Sequence, residues 1–494
     1  MNNKKNLVSA LINQFATIIY GLILPRMIIT TFGSEVNGMI SSISQFLSFI
    51  SLLEGGLGAV VLAELYYPLE QKDDEKIKDI LLACHSFFTK LGIVFLCYTI
   101  VIAGVFAYAE QGQYSATFVV LLVIILSIST LSQYLFAITS KLLLQANQKI
   151  YIINNISTFT LLFNVIVAIL VVKLFPSVLL LKAGAALAFL VQPLVLNRFV
   201  EKKYRIPVWN IKSRYLLKNR WSGFGQNLAH FINMNTDIAV VTIFINLKEV
   251  SVYSVYMLAI NALRSIVCSI DNSFQSTIGK YYVENNKNKL VSTFKSFFET
   301  NALFSIVLFN TCILLINPFI NLYVGGVSDA DYYRPVFSIV MCLANLLYCI
   351  REPLRLTVLA SGRFKETNNG AYIEAVINIL VSVVLVRYYG LIGIAIGTLC
   401  AILFRTLYLY NYLRKDIINI PIRYFLHLNI KYIVLIVLNL FLLNVKTILV
   451  NNYFQFCVIG FGLFLFEFAL AILVLGKIND LKLYIKKMKN RLDI

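Results

Sequence analysis

Residues 116–138 read ATFVVLLVIILSISTLSQYLFAI, and no aspartate, glutamate, lysine or arginine interrupts them. An α-helix rises 1.5 Å per residue, so about 20 such residues cross the roughly 30 Å hydrocarbon core of a bilayer. On one side the run meets Glu110 to Ala116, a short connection without lysine or arginine; on the other it meets Lys141 and Lys149. That asymmetry marks a spanning helix whose basic end stays in the cytoplasm. Working outward, comparable runs fall at 7–29, 36–63, 86–108, 152–174, 178–198, 221–245, 250–278, 297–317, 335–360, 369–388, 391–410, 430–448 and 454–476. With the first they make about fourteen transmembrane helices. The runs at 36–63 and 250–278 are long and rich in small and polar residues, which suits helices that line something other than lipid. The predicted fold class is an all-α polytopic membrane protein.

Composition points the same way. Of 494 residues, 59% are hydrophobic and 14% charged, against about 25% charged in soluble chains, and the mean hydropathy is +0.78. The longest clearly polar stretch, Phe199 to Arg220, is too short for a soluble domain. The net charge of +19 would suggest nucleic acid in a soluble protein. Here the basic residues sit in short alternating loops, as topology determinants do, so a nucleic-acid partner is excluded. The eight cysteines form no CxxC pair and read as small core hydrophobes. His85, His230 and His427 lack ligand spacing, so no metal and no cofactor is expected. The apolar run from Leu7 continues past Ile23 without a small-residue cleavage site, unlike a cleavable signal peptide.

The basic loops carry Lys72, Lys76 and Lys78; Lys141 and Lys149; Lys202 to Arg220; Lys280, Lys287 and Lys289; Arg363 and Lys365; Arg414, Lys415 and Arg423; and the tail from Lys482 to Arg491. Both termini are therefore expected in the cytoplasm, as an even helix count requires. Trp209 and Trp221 flank the longest basic loop as interfacial aromatics. The two halves also align at an offset of 214 residues. Asn13 falls on Asn227, Glu35-Val36 on Glu249-Val250, Lys141-Leu142 on Arg355-Leu356, Lys149 on Arg363 and Asn164 on Asn378. Six helices per unit is an even number, so the repeat is parallel, with a substrate site expected between the lobes. The expected organisation is an N-terminal six-helix lobe at 1–214 and a C-terminal six-helix lobe at 215–428. Two extra helices follow at 429–476, then a basic cytoplasmic tail at 477–494.

The first 80 residues carry a family resemblance: Leu24-Pro25-Arg26, Phe32-Gly33-Ser34-Glu35-Val36-Asn37-Gly38, Ser44-Gln45-Phe46-Leu47, Leu53-Glu54-Gly55-Gly56-Leu57-Gly58 and Lys72-Asp73-Asp74-Glu75-Lys76. With the 6 + 6 + 2 helix count, the chain resembles the Wzx-type polysaccharide flippases of the MOP superfamily, which also contains MurJ and the MATE exporters. The resemblance implies alternating access that moves an undecaprenyl-pyrophosphate-linked oligosaccharide from the cytoplasmic to the outer leaflet of a bacterial inner membrane. It implies a place in capsule, O-antigen or exopolysaccharide biosynthesis. Its implied partners are that lipid-linked glycan, membrane lipids, and the polysaccharide polymerase and export machinery. It also implies cavity arginines that hold pyrophosphate, matched here by Arg26 and Arg264. The second helix departs from MurJ by offering Glu54 and no arginine.

Ionisable residues inside a membrane are costly, so each is a functional-site hypothesis. Arg264 lies halfway along the eighth run with Asp271 two turns on. It reads as a pyrophosphate anchor, since a planar guanidinium suits phosphate oxygens, or as half of an ion pair with Asp271 or Asp237. Gln226, His230, Asn233 and Asp237 share one face of the seventh helix, and Asn13, Thr17 and Tyr20 form a stripe on the first. Both stripes read as cavity lining for sugar hydroxyls or as interhelical hydrogen bonding. Glu54 reads as an arginine partner or a carrier of the coupling proton. Arg26 reads as a phosphate ligand or as a side chain snorkelling to outer headgroups. Arg351, Glu352 and Arg355 read as a lipid-recruiting turn at the cavity entrance or as a salt bridge. Lys90, Lys295, Glu299, Glu374 and Arg405 read as snorkelling or local pairs.

Two other functions compete with the flippase, besides a teichoic-acid-chain flippase of the same kind. A MATE-like ion-coupled small-molecule exporter predicts an acidic cavity, which Arg264 and Arg26 oppose. A membrane enzyme such as a glycan polymerase predicts a long outside loop with catalytic groups. The longest outside loop here, about Pro318 to Arg334, holds only Asp329 and Asp331 beside a Gly325-Gly326 tip. The chain is therefore expected not to be an enzyme.

Overall fold

The computed structural model describes residues 2–54, 56–204, 224–363, 366–445, 448 and 450–475. The basic loop from Arg205 to Arg220, both tryptophans and the tail beyond residue 476 lie outside these. Among the described residues there are sixteen α-helices and no strand. They are α1 (Asn2–Phe32), α2 (Ser34–Ser48), α3 (Leu57–Gln71), α4 (Asp74–Ala109), α5 (Ala116–Ser132), α6 (Ile138–Ala146), α7 (Ile150–Leu174) and α8 (Val178–Tyr204). They continue as α9 (Phe224–Phe244), α10 (Leu247–Val283), α11 (Lys287–Tyr323), α12 (Pro335–Ala360), α13 (Asn368–Tyr389), α14 (Leu391–Leu413), α15 (Ile422–Val445) and α16 (Tyr453–Leu475). Thirteen described helical segments are long and apolar enough to cross a membrane, and Asn235–Phe244 of α9 is a shorter apolar stretch. The protein is a multi-pass membrane protein.

Two of the predicted spans are not continuous α-helix. Between α2 and α3 the chain tightens into a 3₁₀ segment, Phe49–Glu54, and Gly56 then takes a left-handed conformation, φ 83°. Between α5 and α6 a π-helical turn covers Gln133–Ala137. Elsewhere the helices outrun the apolar runs. At 36 to 37 residues each, α4, α10 and α11 exceed the bilayer core by several turns. Helix α15 begins at Ile422, directly after Pro421, eight residues before the apolar run that predicted it. Proline suits a helix start because its missing N–H is one the first turn leaves unbonded anyway.

The chain forms two compact units, Met1–Ser254 with Gly326–Ala330, and Val255–Gly325 with Asp331–Ile494. In the first, α1 and α7 run side by side at a constant sequence separation. Asn6 Oδ1 accepts from the Tyr151 backbone N–H, Asn154 donates to Ser9 at 3.1 Å, and Thr158 donates to Asn13 at 3.2 Å. Asn164 donates to Tyr20 Oη at 3.4 Å. Separations of 145, 145, 145 and 144 residues mean that the two helices are parallel and in register. Opposite them, α2 runs antiparallel to the segment 235–254. Gln45 donates to Asn235 at 3.0 Å, Ser42 bonds Thr242 at 2.7 Å, and Asn37 donates to Ser251 at 2.8 Å. Asp329 closes the start of α2, accepting from the Ser34 N–H at 2.7 Å and its hydroxyl at 2.6 Å.

In the second unit α12, α13 and α14 pack closely, helped by Gly393 and Gly397, the small-xxx-small pair of α14. A Cβ on Gly397 would come within 2.8 Å of the Ser382 backbone nitrogen, so glycine allows the two backbones their approach. Two local conformations recur along the chain. Left-handed residues Lys72 and Asn285 each precede a capping residue, Asp73 or Asn286, whose side chain accepts from the N–H of the third residue of α4 or α11, Lys76 or Lys289. Gln148 and Gly362, 214 positions apart, are likewise left-handed.

Gly38 gives this packing a test. A Cβ there would overlap the carbonyl of Leu247, whereas one on Gly21 meets nothing within 4 Å. Gly38→Ala should cost about 1–3 kcal/mol, the usual price of overpacking, and lower the melting temperature of the detergent-solubilised protein. Gly21→Ala should leave it unchanged.

Candidate functional site

The second unit gathers arginines from two helices around one tyrosine. Tyr348 of α12 presents its ring to two guanidiniums, Arg264 of α10 at 5.2 Å from the ring centroid and Arg351 at 4.7 Å. Arg264 also donates to Asn345 Oδ1 at 3.5 Å, one turn before Tyr348 on the same helix. Stacking on an aromatic face orients a guanidinium and leaves its in-plane N–H fork directed outward. Arg264 is half-buried.

The neighbouring arginines are committed to carboxylates. Arg351, 3% exposed, is paired with Glu374 of α13. The second oxygen of Glu374 lies 3.6 Å from Arg405 of α14, and Arg405 also donates to the Thr367 carbonyl at 2.8 Å. One carboxylate thus clamps three helices through two guanidiniums. Arg355 makes a bidentate bond to Glu352 one turn back, at 3.0 and 2.7 Å; its side chain is 34% exposed. Asp271 of α10 accepts from Asn301 of α11. Four guanidiniums here face three carboxylates, Glu352, Glu374 and Asp271. The sulfur of Cys268, one helical turn from Arg264, lies within electrostatic reach of Arg264, Arg355, Glu352 and Asp271.

The first unit places the other predicted residues apart from one another. Glu54 ends the 3₁₀ segment, and its carboxylate accepts a 2.6 Å bond from the Tyr134 hydroxyl. Tyr134 stands on the π-helical turn, so two helix irregularities meet at one carboxylate. Such turns recur at functional sites. Asp237 accepts from Tyr253 at 2.8 Å. Asn13 and Tyr20 bond to α7, as described above, and Arg26 is half-buried on α1. The side chains of Gln226, His230 and Asn233 lie outside the described part of the structure.

Several partners have no signal of their own in the sequence. Asn345, Asn301 and Tyr134 are polar groups in apolar runs, 30 to 81 positions from the ionisable residues they bond, and Tyr348 meets Arg264 from another helix. The available clue was a carboxamide inside an apolar run, as in VMCLANLLYCI at 340–350.

No protein-family model and no curated protein sequence matches this chain. Solved structures do. The lipid II flippase MurJ in an inward closed conformation superposes with a TM-score of 0.69 at 18% identity, over 95% of this chain and 100% of that one. An inward-facing multidrug resistance MATE family transporter of the MOP superfamily gives 0.62 at 16% identity, over 83% and 99%. A MOP superfamily transporter from Pyrococcus furiosus, described as having a binding pocket of reversed polarity, gives 0.57 at 15% identity, over 84% and 97%. The fold is therefore one shared with MOP-superfamily transporters.

Breaking a buried pair by removing one partner typically costs about 3–5 kcal/mol, because it strands the other charge. Glu374→Ala strands two. It should reduce the yield and melting temperature of the protein far more than Arg355→Ala, whose ion pair is partly solvated.

Proposed function

We propose that this protein is a lipid-linked oligosaccharide flippase. It takes an undecaprenyl-pyrophosphate-linked glycan from the cytoplasmic to the outer leaflet of the bacterial inner membrane by alternating access, with both termini in the cytoplasm. The carrying observation is Arg264. It is a half-buried guanidinium inside a membrane helix, oriented by Tyr348, in a cluster where guanidiniums outnumber carboxylates. An anion with several oxygens, such as a pyrophosphate, is the ligand that such a fork suits. Arg351 and Arg405 tie α12, α13 and α14 together through Glu374, which gives Arg264 a firm platform. The expected division into six-helix lobes at 1–214 and 215–428 fits this reading. The recurrence of left-handed turns and helix caps at spacings of 213 and 214 residues supports it. Glu54, held by Tyr134 at two helix breaks, is the residue assigned to coupling. The product serves surface polysaccharide synthesis, where a polymerase consumes it.

A cation exporter would be better served by an acidic cluster than by this one. No covalent step is needed: the chain supplies charge, orientation and a path.

The test is accumulation of lipid-linked oligosaccharide in cells depleted of the protein. Wild type should relieve it. Arg264→Ala should lower the rate of relief by roughly tenfold to a hundredfold, the loss expected when charged hydrogen bonds worth about 1.5–3 kcal/mol disappear. Arg264→Lys, which keeps the charge without the fork, should fall between them. Equal rescue by all three, at equal protein level, would remove Arg264 from the substrate site. No accumulation on depletion would remove the flippase reading.

A further inference from the structure

The last helix carries a carboxylate in an apolar run, LFLFEFALAI at 463–472. Glu467 lies two thirds of the way along α16 and is 1% exposed. Its two oxygens accept from two different helices: Oε1 from Asn439 of α15 at 2.7 Å, and Oε2 from Asn310 of α11 at 3.1 Å. Each carboxamide is held at a second point. Asn310 Nδ2 donates to the Leu435 carbonyl at 3.4 Å, and Asn439 Nδ2 to the Asn310 carbonyl at 3.3 Å. Both asparagines are as buried as the glutamate.

This arrangement is incomplete in charge and in hydrogen bonds. The described partners of Glu467 are neutral amides, so with the carboxylate ionised no described cation balances it. A buried anion normally requires a counter-charge. The amide oxygens, Asn310 Oδ1 and Asn439 Oδ1, are buried and accept no hydrogen bond, although buried carbonyl oxygens are seldom left unbonded. The cluster therefore lacks one positive charge and has two unused oxygens beside the carboxylate.

We propose that Glu467, Asn310 and Asn439 form a binding site for one small monovalent cation of the sodium class. A hard cation takes oxygen ligands, and one carboxylate balances one positive charge. A half-turn of each carboxamide about its last side-chain bond exchanges nitrogen for oxygen at nearly unchanged volume. The two Oδ1 atoms then face the ion beside Oε1 and Oε2. The Leu435 and Asn310 backbone carbonyls, which the amides release on turning, regain a lone pair each and supply two more oxygens. A divalent ion would leave an excess positive charge in an apolar setting. The site uses helices α11, α15 and α16 only. It is independent of the cluster at Arg264 and of the function proposed above. Its occupancy would govern how firmly the last two helices are held to α11.

The experiment uses the purified full-length protein in nanodiscs. Binding of ²²Na⁺ is measured, and melting is compared in NaCl and choline chloride at equal ionic strength. Wild type should bind Na⁺ saturably and melt higher in NaCl. Glu467→Gln should lose about one bound ion per chain and most of the Na⁺-dependent rise in melting temperature. Should that variant fail to fold, Asn439→Ser, which shortens one ligand, should weaken Na⁺ binding by tenfold or more. The control Glu110→Gln, in an outside loop, should bind as wild type does. Absence of Na⁺ binding in the wild type would overturn the proposal, as would unchanged stoichiometry in Glu467→Gln or unchanged affinity in Asn439→Ser. A melting temperature that responds to pH in choline chloride but not to Na⁺ would overturn it in favour of a proton.

Discussion

A bilayer interior offers no hydrogen-bond partner, so a polar group that enters it must find one within the protein, on its own helix or on another. That requirement organises this protein. The parallel seam between α1 and α7 exists because Asn6, Ser9, Asn13 and Tyr20 are each met by a polar group the same distance along the chain. The antiparallel seam from Gln45 to Asn37 against Asn235 to Ser251 works in the same way. Apolar side chains between these points pack equally well against lipid or protein, so they do not by themselves choose a neighbour. The polar rungs do, and they fix the register of the helices.

Charge follows the same rule at higher stakes. Glu374 holds Arg351 and Arg405, and Glu352 holds Arg355 in a bidentate grip. These pairs join or stiffen helices. Arg264 differs in that an aromatic ring and a carboxamide position it, which orients the guanidinium. Two kinds of group result: cations held by carboxylates, and a cation positioned by a ring and a carboxamide. Glu467 belongs to neither kind as it stands, since its partners balance its hydrogen bonds and not its charge.

The helices were legible in the sequence because lipid demands long apolar runs and basic loops punctuate them. Their ends were less so. Hydropathy detects where a helix meets lipid, whereas α4, α10 and α11 continue past their apolar runs. The 3₁₀ segment before Gly55 and the π turn at Gln133 escaped altogether, since both depend on bonds formed with other helices. Of the candidate site, the costly members were visible: Arg264, Asp271, Arg351, Arg355 and Glu54 each stood out as a charge in an apolar setting. Their companions were not. Tyr348 and Asn345 resemble ordinary interior residues until α10 is laid beside α12. Glu467 was not singled out, although it is a charge in an apolar run, and its meaning required Asn310 and Asn439 from two other helices.

The central claim is that this chain moves a glycan-bearing lipid anion across a bilayer. Reconstitution tests it most directly: purified protein in vesicles whose lipid-linked oligosaccharide begins in the inner leaflet, with outer-leaflet exposure followed by an impermeant glycosidase. The account predicts that the protein increases the rate of exposure over protein-free vesicles, and that excess soluble pyrophosphate on the inner side slows it. Exposure no faster than in protein-free vesicles, under conditions where the same preparation expels small organic cations, would contradict it.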